Sequence, residues 1–419
     1  MSALPARPVP LTRTGRAERF PERWRVVLAL FTVVTCVACS VSAFGVFLPV
    51  LAQTFGWSRG AVSAALSINL ILGGFIAFPV ASIADRHGPR GVLVLTIAVG
   101  SAGFALTSRV ATLAQFYFVY GVMVAVGTSW IYVLATSTVS RWFVDRRGLA
   151  LAVVLSGFNV GWLVGGPLAA MVIRTAGWQA AYVALGGLMA CVGGPASLWV
   201  RYPERTPTRS AAPEAAAERA RAVRSSLDSA LADPRLWLFG AAWFCMGLVF
   251  MMVTVHSVPF AVDLGLPLER ASLVLTAYGV GASLGRLASG ITADRLGAAL
   301  TIRASVLAQG AALAVLLFGP PAWALTAVIV VFGIGAAAAD TAFVKSVPEV
   351  FGLGALATVM AVLSIGWRLG GGIGPAGAGF LYDATGSYRI AFGGALVMLG
   401  VVVLLFTLAS RTRPRVARF

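Results

Sequence analysis

Apolar runs of about 20 residues, separated by short clusters of Arg, Pro and Gly, recur along the whole chain. At 1.5 Å per residue, a helical run of that length crosses the roughly 30 Å hydrocarbon core of a bilayer. The breaks predict helices at 26–50, 60–84, 92–107, 112–140, 148–173, 178–200, 235–261, 271–293, 298–318, 322–344, 354–381 and 389–410. The first run is too long for the core of a signal peptide and others follow it, so it reads as a retained transmembrane helix. The longest polar stretch, Arg201 to Pro234, divides the predicted helices six and six. The expected layout is an all-α membrane protein: a tail at 1–25, a six-helix bundle at 26–200, a linker at 201–234, a second six-helix bundle at 235–410 and a tail at 411–419.

Composition strengthens this reading. Of 419 residues, 59% are apolar and 11% charged, against about 25% charged in soluble domains, which excludes an ordinary soluble enzyme and a disordered chain. The net charge of +17 would raise nucleic-acid binding if the cations formed a soluble patch. They lie instead between the apolar runs. With the N-terminus inside, 25 cations fall on inner segments and five on outer ones (Arg59, Arg109, Arg174, Arg270 and Arg389). Loops rich in Arg and Lys stay cytoplasmic, so both termini are expected in the cytoplasm, the chain is placed in the plasma (inner) membrane, and no nucleic-acid partner is expected. Cys36, Cys39, Cys191 and Cys245 all sit in apolar runs, which argues against a disulfide framework. No GxxxxGK[ST] loop is present and the chain has only two His. The expectation is therefore no enzymatic chemistry, no cofactor and no metal, in a monomeric chain.

The halves repeat at an offset of 209 residues. Asp85-Arg86 falls on Asp294-Arg295, Gly56 on Gly265, and Gly157, Gly161 and Gly165 on Gly366, Gly370 and Gly374. A duplicated six-helix unit is the layout of transporters whose halves are related by an axis along the membrane normal, with substrate near the midplane between them. The glycines at i, i+4 and i+8 let the fifth and eleventh predicted helices approach neighbours closely.

Only two of the 32 cations, Arg286 and Arg368, lie where topology gives no reason for them. An Arg at the centre of a membrane helix costs about 2.5–3.5 kcal/mol even on the lenient insertion scale, so each needs a partner or a job. Arg368 points about 200° away from the glycine stripe, toward a central cavity if the glycines pack on neighbours. The planar guanidinium fork matches a carboxylate, and two such groups suit an anionic substrate; internal pairing, for instance with Asp340, is the alternative. Asp340 is the acid set well inside a predicted helix, where it could carry a coupling proton or form an ion pair near Lys345. His256 titrates in a useful range and is a candidate for the site or a gate. Asn159 matches Arg368 across the repeat and Asn69 matches Tyr278; these polar residues, with Tyr132, are candidate hydrogen-bond partners for a substrate. The Trp residues read as interface anchors or packing.

The segment Asp85-Arg86-His87-Gly88-Pro89-Arg90 and its second copy, Gly290-Ile-Thr-Ala-Asp294-Arg295-Leu-Gly297, resemble the loop 2–3 signature of the major facilitator superfamily. The first copy has Ala81 where a Gly is usual and Pro89 where a basic residue is usual. Three more stretches are similar to the monocarboxylate porters and oxalate/formate antiporters, particularly the bacterial members: Phe55-Gly-Trp-Ser-Arg-Gly-Ala61, Arg141-Trp-Phe143 with Arg146-Arg-Gly-Leu-Ala150, and Val255-His-Ser-Val-Pro259 with Asp263-Leu-Gly265. The resemblance implies twelve transmembrane helices in two bundles. It gives Asp85, Arg86, Arg90, Asp294 and Arg295 the role of a cytoplasmic gate, and Arg286 the role of binding the substrate carboxylate. It also implies a second cation near Arg368. Animal members carry an Asp one turn before the helix-eight Arg and a Lys in helix one; here Ala282 takes the first position and the first helix has no cation.

The expected function is secondary active transport of a small organic anion, most simply a monocarboxylate, by alternating access, with a proton or a counter-anion as second partner. A drug or metabolite exporter of the same fold is the alternative, and a non-transporting membrane receptor or interaction protein a third reading.

Overall fold

The computed structural model describes residues 20–143, 146–203, 228–351 and 356–411. The expected N-terminal tail up to residue 19, most of the linker (204–227) and the last eight residues lie outside the described residues. The described chain is almost entirely helical: α1 (Phe20–Ser42), α2 (Phe44–Phe55), α3 (Arg59–His87), α4 (Pro89–Thr107), α5 (Leu113–Trp142), α6 (Arg147–Leu198), α7 (Pro234–Asp263), α8 (Leu268–Arg295), α9 (Ala298–Leu317), α10 (Ala322–Phe351), α11 (Leu356–Thr385) and α12 (Arg389–Arg411). Helices α1 and α2 form one crossing with a turn at Ala43. At 52 residues, α6 is about 78 Å of helix, more than twice a bilayer core. It bends at Gly177, whose φ of 85° and ψ of 167° suit only a residue without Cβ. Gly165 before the bend and Leu185 after it both meet α1, at Cys39 and Ser40, so the chain reverses there.

Nine stretches among the described residues are long and apolar enough to cross a membrane. Helices α8 and α11, of 28 and 30 residues, fall outside that set; they carry Arg286 and Arg368 among many small residues. The repeat extends to turn geometry. Gly88 and Gly297, 209 residues apart, both start a helix with φ near 82° and 83°. Helix starts are also fixed by side chains: Ser58 Oγ accepts from Ala61 N ahead of α3, and Asp233 accepts from Arg235 N ahead of α7, with Pro234 at the first helical position.

The glycine stripes do what the sequence predicts. A Cβ on Gly165 would sit 2.2 Å from Cys39 O, and one on Gly374 2.4 Å from Leu248 O. The stripe of α6 thus packs on α1 as that of α11 packs on α7, and the two contacts are again 209 residues apart. The N- and C-terminal halves meet where α3 packs on α11 and α6 on α8. Two ends can be distinguished: a terminal end, holding Phe20, Pro234 and Arg411, and a far end, holding Phe55, Asp263 and Arg389. The described hydrogen bonds and ion pairs that join the halves lie between the far end and the level of Arg286 and Arg368.

Candidate functional site

A cavity of about 90 Å³ opens beside Arg286, lined also by Phe250, Tyr278, Trp367, Gln309 and Asp340, with Met246, Ala336 and Ala337 completing the wall. All of these belong to the C-terminal half, on α7 to α11. The N-terminal half reaches the cavity's edge from α6: Asn159 Oδ1 accepts a hydrogen bond from Arg286 Nη1, and the Trp162 ring lies 5.3 Å from that of Tyr278. The cavity thus lies in the C-terminal half, on its face toward the N-terminal half. Gln309 and Ala336 correspond to Gly100 and Gly127, and a Cβ on Gly127 would sit 2.2 Å from the Gly100 Cα. In the C-terminal half Gly335 of α10 also approaches α9 closely, an added Cβ lying 2.6 Å from Ser305 O, and the side chains of Gln309 and Ala336 line the cavity.

Of the candidates read from the sequence, Arg286, Asn159, Tyr278 and Asp340 come together here. Arg286 is exposed to the opening and makes its single hydrogen bond among the described residues to Asn159. Asp340 feels the Arg286 charge without pairing with it, and the Trp243 indole lies beside its carboxyl. Lys345, the alternative partner of Asp340, pairs instead with Asp294. Tyr132, 51% exposed, is near enough to feel both Arg286 and Asp340.

Three candidates go elsewhere. Arg368 points away from the glycine stripe as expected, but the N-terminal half lies opposite at that level. Its Nη2 donates to Ser129 O at 2.7 Å, and its side chain packs on Gly73 and Gly74 of α3. Its neighbour Trp367 faces the cavity. Asn69 is buried and donates to Tyr120 O at 3.0 Å, a carbonyl in the π-helical stretch Tyr117–Met123 where the ordinary helix ladder is interrupted. His256 is fully buried and bonds through both ring nitrogens, Nε2 to Pro375 O at 2.8 Å and Nδ1 to the Tyr388 hydroxyl at 3.0 Å. With Nε2 donating to the carbonyl, Nδ1 accepts from Tyr388.

His256 belongs to a network at the far end that sequence reading missed. Arg59 holds Asp263 through two hydrogen bonds of 2.7 Å, donates from Nη1 to the Tyr388 hydroxyl at 2.9 Å and lies 3.9 Å over the Tyr382 ring. Asp383 accepts from the backbone N–H groups of Arg59 and Gly60 at 2.9 and 2.8 Å, capping α3 from the opposite half. Burial pushes the Tyr388 hydroxyl above its ordinary range, against the opposing effect of the Arg59 cation. The signal was present in Phe55–Ala61, where Arg59 is one of the few cations on the cation-poor side, but its acidic partners lie 204 and 324 residues away.

Of the expected gate residues, Arg86, Arg90 and Arg295 are exposed at the terminal end. Asp294 pairs with Lys345 within its own half, and the Asp85 side chain lies outside the described residues. The four cysteines are free thiols, and no cluster of metal-ligating residues occurs among the described residues.

The profile of the Major Facilitator Superfamily matches residues 30–272 and 257–419. Human monocarboxylate transporter 11 is 26% identical over 91% of this chain and 82% of its own length. The gallate transporter of Pseudomonas putida is 28% identical over 92% of this chain and 88% of its own. In three dimensions the chain superimposes on a bacterial homologue of the human lysosomal transporter Spinster with a TM-score of 0.75, at 19% identity, covering 94% of this chain and 98% of the other. Long apolar helices in this fold, and the profile match along nearly the whole sequence, make the chain an integral, multi-pass membrane transporter rather than an enzyme, and a member of the Major Facilitator Superfamily.

Proposed function

We propose that the chain moves a small organic anion, a monocarboxylate, by alternating access between two six-helix bundles at 26–200 and 235–410, with both termini in the cytoplasm. One observation carries this reading. Arg286 stands at an open cavity and, among the described residues, its guanidinium is bonded only to the neutral Asn159, so its charge is left for a ligand. A carboxylate bound there would find a planar fork of donors. The relatives named for monocarboxylate and gallate transport support an anionic substrate.

Asp340 is the candidate for coupling. A substrate carboxylate and Asp340 compete for one guanidinium, and a proton on Asp340 leaves Arg286 to the substrate. That favours joint movement of anion and proton; exchange of one anion for another needs only Arg286. Alternation requires the Arg59 network to release, because it ties α3 of one half to α7, α11 and the turn before α12 of the other. Arg368 and Ser129 form a second tie, at the depth of the cavity.

The test is uptake of labelled carboxylates into liposomes holding the purified chain, with and without an inward proton gradient. Arg286→Gln is expected to abolish uptake while the protein stays folded and monodisperse. Unchanged uptake would overturn the assignment of the site. Export of uncharged or cationic drugs with no response to carboxylates would replace the anion reading with the exporter one.

A further inference from the structure

The cavity walls carry more than a cation. Three rings share the cavity wall with Arg286, Phe250 from α7, Tyr278 from α8 and Trp367 from α11, and Trp162 from α6 packs on two of them. Phe250 lies 5.4 Å from Tyr278 and 5.8 Å from Trp367, and Trp162 lies 6.0 Å from Phe250. These rings differ from the packing aromatics elsewhere. Phe239, Phe343 and Phe406 also form a cluster, at 5.1 and 5.4 Å, but are at most 3% exposed and face one another in the core. Trp162, Phe250 and Trp367 remain partly accessible, and Phe250, Tyr278 and Trp367 line open space. Helix α10 adds Ala336 and Ala337 to the same lining, side chains of a single methyl group.

Resting on the organic-anion reading above, we infer that the site selects aryl carboxylates: the carboxylate binds Arg286, and the planar ring lies among Phe250, Tyr278 and Trp367, against Ala336 and Ala337. A two- or three-carbon acid satisfies Arg286 but leaves these ring faces uncovered, forfeiting apolar burial. A puckered ring of similar size recovers burial but not the offset and edge-on contacts that aromatic pairs favour. The cavity volume of about 90 Å³ excludes a drug-sized molecule. Phe250 and Trp367 are then specificity residues and Arg286 the affinity residue, so the two roles separate by mutation.

The experiment is competition against labelled benzoate uptake in liposomes holding the full chain, using unlabelled benzoate, cyclohexanecarboxylate, lactate and acetate. Benzoate is expected to compete about tenfold better than cyclohexanecarboxylate, the scale of one to two aromatic contacts, and better still than lactate or acetate. Phe250→Leu and Trp367→Leu should bring the benzoate-to-cyclohexanecarboxylate ratio close to one, and Phe250→Tyr should keep it. If the wild-type chain takes up carboxylates through Arg286 but cyclohexanecarboxylate or lactate competes as well as benzoate, the aryl assignment is overturned and the anion reading stands. If the wild-type chain takes up no carboxylate at all, both fall. The wild-type ratio decides the question even if a leucine variant does not fold.

Discussion

Two Arg–Asp–Tyr groups in this molecule, Arg59 with Asp263 and Tyr388 and Arg286 with Asp340 and Tyr278, are built from the same side chains and are wired in opposite ways. At the far end each Arg59 terminal nitrogen has an acceptor, and the guanidinium face covers Tyr382. At the cavity Arg286 has one neutral partner, Asp340 stands apart from it, and Tyr278 faces open space. Satisfied charges in a partly dry place hold surfaces together, because separating them leaves each ion without compensation. A charge with an incomplete set of partners beside a cavity is what the proposed binding site needs. The difference lies in the neighbours, not in the residue types.

Removing the unsatisfied cation is the strongest way to break this comparison. Arg286→Gln should lower carboxylate uptake at least about thirtyfold, since losing a charge-assisted partner of a bound carboxylate costs about 2–5 kcal/mol, with little change in melting temperature. The same change at the other site should do the reverse. Arg59→Gln removes a bidentate pair whose side chains are 15% and 30% exposed, a loss of about 2 kcal/mol, or roughly thirtyfold in the balance between closed and open far ends. Accessibility of a cysteine replacing Ser67, buried on α3 where it faces Gly372 of α11, to a membrane-impermeant thiol reagent should rise; an unchanged labelling rate would mean that Arg59 does not hold the far end shut.

Asp340→Asn separates binding from coupling. Uptake driven by a proton gradient should fall while anion exchange continues, and the dependence of uptake on external pH should flatten; a variant that keeps full proton-driven uptake removes Asp340 from the cycle. The smallest effect is expected from Tyr388→Phe, which keeps the Arg59–Asp263 pair and deletes the hydroxyl between Arg59 and His256. About 1 kcal/mol should appear as a lower melting temperature with substrate affinity unchanged.

The helices were legible because lipid allows so few ways to cross it: backbone groups must be paired within the segment, so apolar length and helical length coincide. Arg286 stood out for a related reason, since a cation at that depth is costly without a role. The aromatic wall was not legible. Phe250 and Trp367 sit among 24 Phe and 11 Trp, and nothing local marks the ones that face a cavity. Arg368 shows the limit from the other side. Its direction relative to the glycine stripe followed from helix geometry, but what stood opposite did not, and the N-terminal half turned out to fill that place.

The sequence by itself determined the helices, the duplication at 209 residues and the cation at Arg286, because periodicity, apolar length and the cost of a buried charge are local properties. Only the tertiary structure decided which half holds the cavity, which aromatic rings line it and which arginine is already satisfied. The repeat made the halves alike in pattern. Gln309 and Ala336 line a cavity where the first half has Gly100 and Gly127 in contact, and packing depends on the volume of side chains that meet only after the chain has folded.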